Sequence, residues 1–143
     1  MDIFTTMKIS ASALKAQRVR MNAISSNLAN IETTRTPDGG PYRKREVVFQ
    51  TSRQGFADTL DSRLRDAAQG VKVSHIQASN QPPRMVYEPH HPDADEKGMV
   101  AMPNVNLVEE TADMMSASRA YEANVTVVKS AKRMALKALE IGR

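Results

Sequence analysis

The sequence predicts a mainly α protein: an antiparallel coiled coil of long N- and C-terminal helices, with a small loop-rich insertion that contains β structure. Three observations predict it. Apolar residues recur at alternating spacings of four and three near both ends, the period of a helix seam. All seven prolines and five of the six glycines fall between residues 37 and 104. The 143 residues include no Trp, three Phe and three Tyr, so the bulky side chains of a large globular core are scarce, while Met and Ala suit helix-on-helix packing.

The first element spans residues 1–36 with its exit. Ile3, Met7, Ser10, Leu14, Gln17, Met21, Ile24, Leu28 and Ile31 form one stripe of about four heptads, and neither Pro nor Gly interrupts it. Ser10 and Gln17 weaken the stripe, and polar residues at such positions set register. The stretch SSNLANIETTRTPDGGPYRKR then carries the chain out, with Asn27 and Asn30 suited to bond freed backbone groups at a helix end and Gly39 and Gly40 to supply a turn.

Residues 37–104 form the insertion. Its short runs EVVF, VKVSHI, RMVY and GMVAM have the composition of strands, and FADTLDSRLRDAAQ at 56–69 has weak helical character. In the last part, residues 105–143, Asn106 followed by Glu109 resembles a capping box, with Pro103 just outside, so a helix is expected to start near Leu107. Its stripe runs through Leu107, Thr111, Met114, Ser118, Tyr121, Val125 and Val128, then Ala131, Ala135 and Ala138 or Leu139. At 1.5 Å per residue each terminal helix is roughly 40–55 Å long, too long for so short a chain to wrap in a globular core.

Twenty basic and sixteen acidic residues leave a formal +4, short of the clustered basic face of a nucleic-acid binder, and no nucleic-acid partner is expected. There is no Cys, which excludes disulfides and thiolate chemistry. Lys8, Lys15, Arg18 and Arg20 break up any secretory signal, and no stretch approaches the roughly 20 apolar residues of a membrane span. The chain is therefore expected to be cytosolic or exported without a cleaved signal.

The densest cluster of chemical side chains is YEPHHPDADEKG, with His90, His91, Asp93, Asp95 and Glu96. Its spacing argues against a metal site: the adjacent histidines point apart, Pro89 and Pro92 stiffen the loop, and the later Glu of an EF-hand is missing. His75 is isolated. No Ser lies in a nucleophile turn and Gly39 and Gly40 make no phosphate loop, so neither catalysis nor a cofactor is expected. The run RKR at 43–45 reads as a solvated face or a salt-bridging contact between subunits, with nucleic acid or an anionic cell wall as the sharper alternative. The basic C-terminal segment KSAKRMALKALEIGR has the charge of a membrane-surface helix, yet its lack of aromatic residues favours pairing with the first helix.

SSNLANIETTRTPDGGPYRKREVVF resembles the motif that follows the first helix of the flagellar axial proteins, the rod and hook family, and its long exit TRTPDGGPY is similar to that of the proximal rod members. HPDADEKGMVAMPNVNLVEETADMMSASRAYEANVTVVKSAKRMALKALEIG is similar to the same family, notably at PNVN and SRAYEAN; Met99 stands where the family more often has an aromatic residue. The resemblance implies a structural subunit of the basal-body rod, crossing the periplasm around the export channel and passing torque from motor to hook. It implies helical assembly with copies of itself and other rod proteins, and export by the flagellar type III apparatus. It further implies that the apolar stripes are assembly seams, and that Asn27, Leu28, Ala29, Asn30, Gly39, Gly40, Tyr42, Pro103, Asn104 and Asn106 form a joint between the helices and an outer insertion. On residues alone, a cytosolic coiled-coil adaptor or scaffold and a metal-dependent enzyme built on the His/Asp loop stay open.

Overall fold

A computed structural model describes residues 3–52 and 69–141. The expected weak helix at 56–69 lies, but for Gln69, outside the described residues. Helix α1 runs Ile3–Ala29; strands β1 (Arg45–Ser52), β2 (Gly70–Ala78), β3 (Arg84–Tyr87) and β4 (Met99–Met102) follow; helix α2 runs Leu107–Ile141. The fold is mainly helical, with two antiparallel two-stranded sheets, β1–β2 and β3–β4, at the sites of the four predicted strand runs. Among the described residues no helix is long and apolar enough to cross a membrane.

The two helices pack side by side and antiparallel. Arg20 bonds Asp113 at 3.0 Å and Asn27 bonds Glu110 at 3.0 Å, so a fall in number along α1 meets a rise along α2. Among the described residues the buried apolar positions of the two helices are mostly small: Ala16 and Ala23 on α1, Ala117 and Ala131 on α2, with Ile24 the one large side chain. Alanine lets two helix axes approach closely, at the cost of little apolar area per residue. Asn106 caps α2 as expected, its Oδ1 accepting the Val108 N–H at 3.0 Å, behind a buried Pro103.

The buried rows overlap the expected stripes in part, at Ser10, Ile24 and Ala131. Of the α1 stripe, Ser10 and Ile24 are buried and Gln17 has its amide oxygen shielded, whereas Ile3, Met7, Leu14, Met21, Leu28 and Ile31 are only half-covered. On α2 the buried row is Glu110, Ala117 and Ala131, while Met114, Tyr121, Val125 and Val128 are half-covered and Leu107 and Leu139 stand exposed. The reason is that α1 serves two neighbours. The β1–β2 hairpin lies along its other side, with Asn27 holding the start of β1 and the Ser12 hydroxyl accepting the Val71 N–H at 3.1 Å. Fifteen helical residues and seven strand steps both cover about 23 Å, so the hairpin tracks α1 over that length. Gly70 suits the crossing, because a Cβ there would lie 2.8 Å from Ser12 Oγ and push that hydroxyl from the Val71 N–H. The first half of the insertion is thus packed on the helix rather than set apart from it.

Candidate functional site

The exit from α1 is where the helices, the hairpin and the second sheet meet. Asn27 is 1 % exposed and uses its whole amide. Its Oδ1 accepts the Arg45 N–H at 2.8 Å and the Tyr42 hydroxyl at 2.9 Å, and its Nδ2 donates to Arg45 O at 3.0 Å and Glu110 Oε2 at 3.0 Å. The amide therefore pairs with both backbone groups of Arg45 as a neighbouring strand would, which orients it unambiguously. A buried polar group costs little when every donor and acceptor is matched, and the match specifies one geometry.

Glu110 is equally buried and receives Lys44 Nζ on its other oxygen at 2.8 Å. That hydrogen bond raises the Lys44 pKa above its ordinary value, with further attraction from Glu110, Glu109 and Glu46 outweighing the partial burial that lowers it. Of the RKR run, Lys44 is therefore an internal partner, and Arg45 supplies its backbone to Asn27. Glu110 and Lys44 were not legible as site residues, since one looks like a helix-surface charge and the other like part of a solvated run.

Around this centre the exit loop is tied in steps. Asn30 Nδ2 donates to Ser26 O at 2.8 Å, the helix-end role expected of it, and its Oδ1 accepts from Thr33 Oγ1 at 3.2 Å. The Tyr42 hydroxyl also lies 3.2 Å from Ser26 Oγ, and the Tyr42 N–H donates to Thr33 O. Gly39 and Gly40 have φ of +84° and +78°, the left-handed turn for which glycine is suited. Leu28 is half-covered and Ala29 exposed at the end of α1, while Asn104, on the surface, donates to Gln81 Oε1 at 3.1 Å.

The His/Asp loop is engaged in structure. Asp93 takes the Thr34 hydroxyl at 2.8 Å and Arg35 at 3.0 Å, tying the loop to the exit of α1. Asp95 Oδ1 accepts the Lys97 and Met99 N–H groups at 2.8 Å each, and His91 Nδ1 accepts the Asp93 N–H at 3.1 Å. Among the described residues no three His, Cys, Asp or Glu side chains are grouped to hold a metal ion.

Residues 7–35 match the family "Flagella basal body rod protein", and residues 96–141 match "Flagellar basal body rod FlgEFG protein C-terminal". The chain belongs to the FlgC family of flagellar basal-body rod proteins: it is 45 % identical over 152 residues to the FlgC protein of Borreliella burgdorferi, covering 99 % of this chain and 98 % of that one. The FlgC proteins of Bacillus subtilis and Salmonella typhimurium are 44 % and 43 % identical over the full length of both chains. It is a structural subunit of the flagellar basal-body rod and not an enzyme. The adaptor and metal-enzyme readings give way to that finding.

Proposed function

We propose that the chain forms part of the rod wall by packing one apolar face of its helix pair against helices of neighbouring subunits, copies of itself and other rod proteins. On this reading the rod crosses the periplasm, encloses the export channel and carries torque to the hook, and the chain reaches it through the flagellar type III export apparatus. The exit cluster, from Asn27 to Tyr42 with Pro103 to Asn106, is then the joint that fixes the hairpin to the helices.

One observation carries the reading. Large apolar residues of both stripes stay half-covered within the chain: Leu14, Met21 and Leu28 on α1, Met114, Tyr121 and Val125 on α2. A heptad-spaced apolar face of this kind suits another helix and forms a coiled-coil seam only when that helix is present. Leu28→Asp tests it: the variant is expected to fold and be exported but to be absent from isolated rods. Normal rods containing the Asp variant would overturn the assignment.

A further inference from the structure

The antiparallel pair ends unevenly. Arg20 bonds Asp113 and Asn27 bonds Glu110, which puts Phe4 level with about residues 129–133 of α2, so the last turns of α2 project beyond α1. Ala131 is the last buried residue there, and from Lys132 to Ile141 every side chain is exposed save the half-covered Ala135. Residues 3–8 and 129–141, which make up this tip, hold five cations, Lys8, Lys129, Lys132, Arg133 and Lys137, against one carboxylate, Glu140. The other fifteen lysines and arginines are matched by fifteen carboxylates, so the tip carries the whole formal +4 of the chain. All five cations are exposed; Lys137 lies 3.1 Å from Glu140, and the other four make no ion pair among the described residues. Arg43 and Arg45 are exposed at the exit end, but Glu46 and Glu109 act on Lys44 beside them, and Glu88, Asp95 and Glu96 are exposed between β3 and β4, so charge of both signs is mixed there.

The tip is apolar as well. Phe4, Leu139 and Ile141 are 75 %, 72 % and 80 % exposed, and Met134 and Leu136 are exposed with them. Leu136 and Leu139 lie about 180° around the helix from Met134 and Ile141, so no single groove covers both pairs, whereas a medium that surrounds the helix end does. The C-terminal segment by itself lacks the aromatic residue of a membrane-surface helix, and the pairing supplies one: Phe4 comes level with the first cations of the tip, one turn from Lys8 on its own helix. We infer that the unassembled chain docks on an anionic phospholipid bilayer through this tip, without crossing it. Leu136, Leu139 and Ile141 enter the boundary between headgroups and acyl chains, while Lys132, Arg133 and Lys137 stretch back to the phosphates. Arg133 to Ile141 spans about 12 Å along the axis, so a tilted tip fits the roughly 5–10 Å depth of that boundary. Nucleic acid would answer the charge but leave the apolar side chains wet. The docking goes beyond the rod-wall reading and does not rest on it.

The test is sedimentation of the purified full chain with vesicles. The chain is expected to pellet with mixed phosphatidylcholine and phosphatidylglycerol vesicles and to stay in the supernatant with phosphatidylcholine alone. Lys132→Glu with Arg133→Glu should weaken the binding about tenfold or more. Arg43→Glu with Arg84→Glu removes the same net charge far from the tip and should leave it within about twofold, because salt screens charges beyond about 10 Å. Phe4→Ser with Leu139→Ser should weaken it about tenfold through lost apolar burial, with the circular dichroism spectrum and the urea midpoint unchanged. Equal binding to phosphatidylcholine alone, an equal loss from the two charge-reversed pairs, or binding indifferent to the loss of Phe4 and Leu139 would each overturn the inference. So would a chain that stays with the supernatant over both kinds of vesicle, as a monomer or as self-associated species; if that chain still enters rods in cells, the rod-wall reading stands without the docking.

Discussion

Where α1 ends, Asn27, Glu110, Lys44, Arg45 and Tyr42 are joined by five hydrogen bonds around two fully buried polar side chains. Toward the other end, Ala131 of α2 is buried, and Phe4, Met134, Leu139 and Ile141 face solvent. The difference teaches how one subunit combines a fixed internal geometry with surface for others. Directional bonds tolerate one arrangement, so the exit end sets the register of the helices and the seat of the hairpin. Apolar surface is non-directional and accepts whatever helix presents a matching row, so on the proposed reading the other end and the half-covered stripes suit contacts made after the subunit has folded.

Expected outcomes that break or sharpen this contrast run from large to small. The isosteric change Asn27→Asp replaces an amide donor by an acceptor that faces Arg45 O and the Glu110 carboxylate. It is expected to lower unfolding stability by about 3–5 kcal/mol at neutral pH, measured by urea denaturation, and a loss under 1 kcal/mol would remove the exit cluster from its central place. Lys44→Met leaves Glu110 buried with one partner, for an expected loss of about 3 kcal/mol.

The same pair gives a pH signature. The Lys44 pKa is raised in the folded chain, so its stabilisation is fully present below the ordinary lysine pKa and is lost as pH rises through the raised value. The stability gap between the wild type and Lys44→Met should therefore narrow in the alkaline range and hold constant around neutrality. A gap that widens with alkaline pH would show the pair to be misassigned.

Along the helix contact the effects are intermediate. Ala117 is wholly buried, and Ala117→Leu forces the axes apart for about 1–3 kcal/mol. Gln17 Oε1 is buried with no hydrogen-bond partner among the described residues, so Gln17→Leu is expected to stabilise the isolated chain by about 1 kcal/mol, seen as a higher denaturation midpoint. At the exposed end Leu139→Ser should change stability by no more than about 0.5 kcal/mol while weakening association, a separation that circular dichroism and sedimentation read independently. A large stability loss at Leu139 would mean that this end is packed within the chain.

Much of the exit was legible because its residue types are specialised. Asn106 before an apolar helix, Gly39 and Gly40 between polar residues, and Asn30 at a helix end each have a local role that composition alone reveals, and the structure gives each that role. Gly98 was read only as part of a strand run. Its φ of +73° and the 2.9 Å that would separate a Cβ from the Tyr87 ring show a second constraint that depends on a distant side chain.

The sequence by itself determined both long helices, the start of α2 at Leu107, the four strand runs and the family, since helical period, strand composition, capping and extended motifs are all local or linear signals. Tertiary structure alone decided which face of each helix meets the other. The widest apolar stripe predicted the seam, but α1 has to accommodate a hairpin as well as α2; Ala16, Ala23 and Ala117 are buried one position aside, while Ser10, Ile24 and Ala131 are buried on the stripes themselves. It also decided that Asn27 bonds a strand eighteen residues away and a helix eighty-three residues away, and that Glu110 and Lys44 are partners. The physical reason is that a side-chain amide or carboxylate carries no record of its partner in the linear sequence; its hydrogen bonds are fixed only when packing brings matched groups within 3 Å and shuts water out.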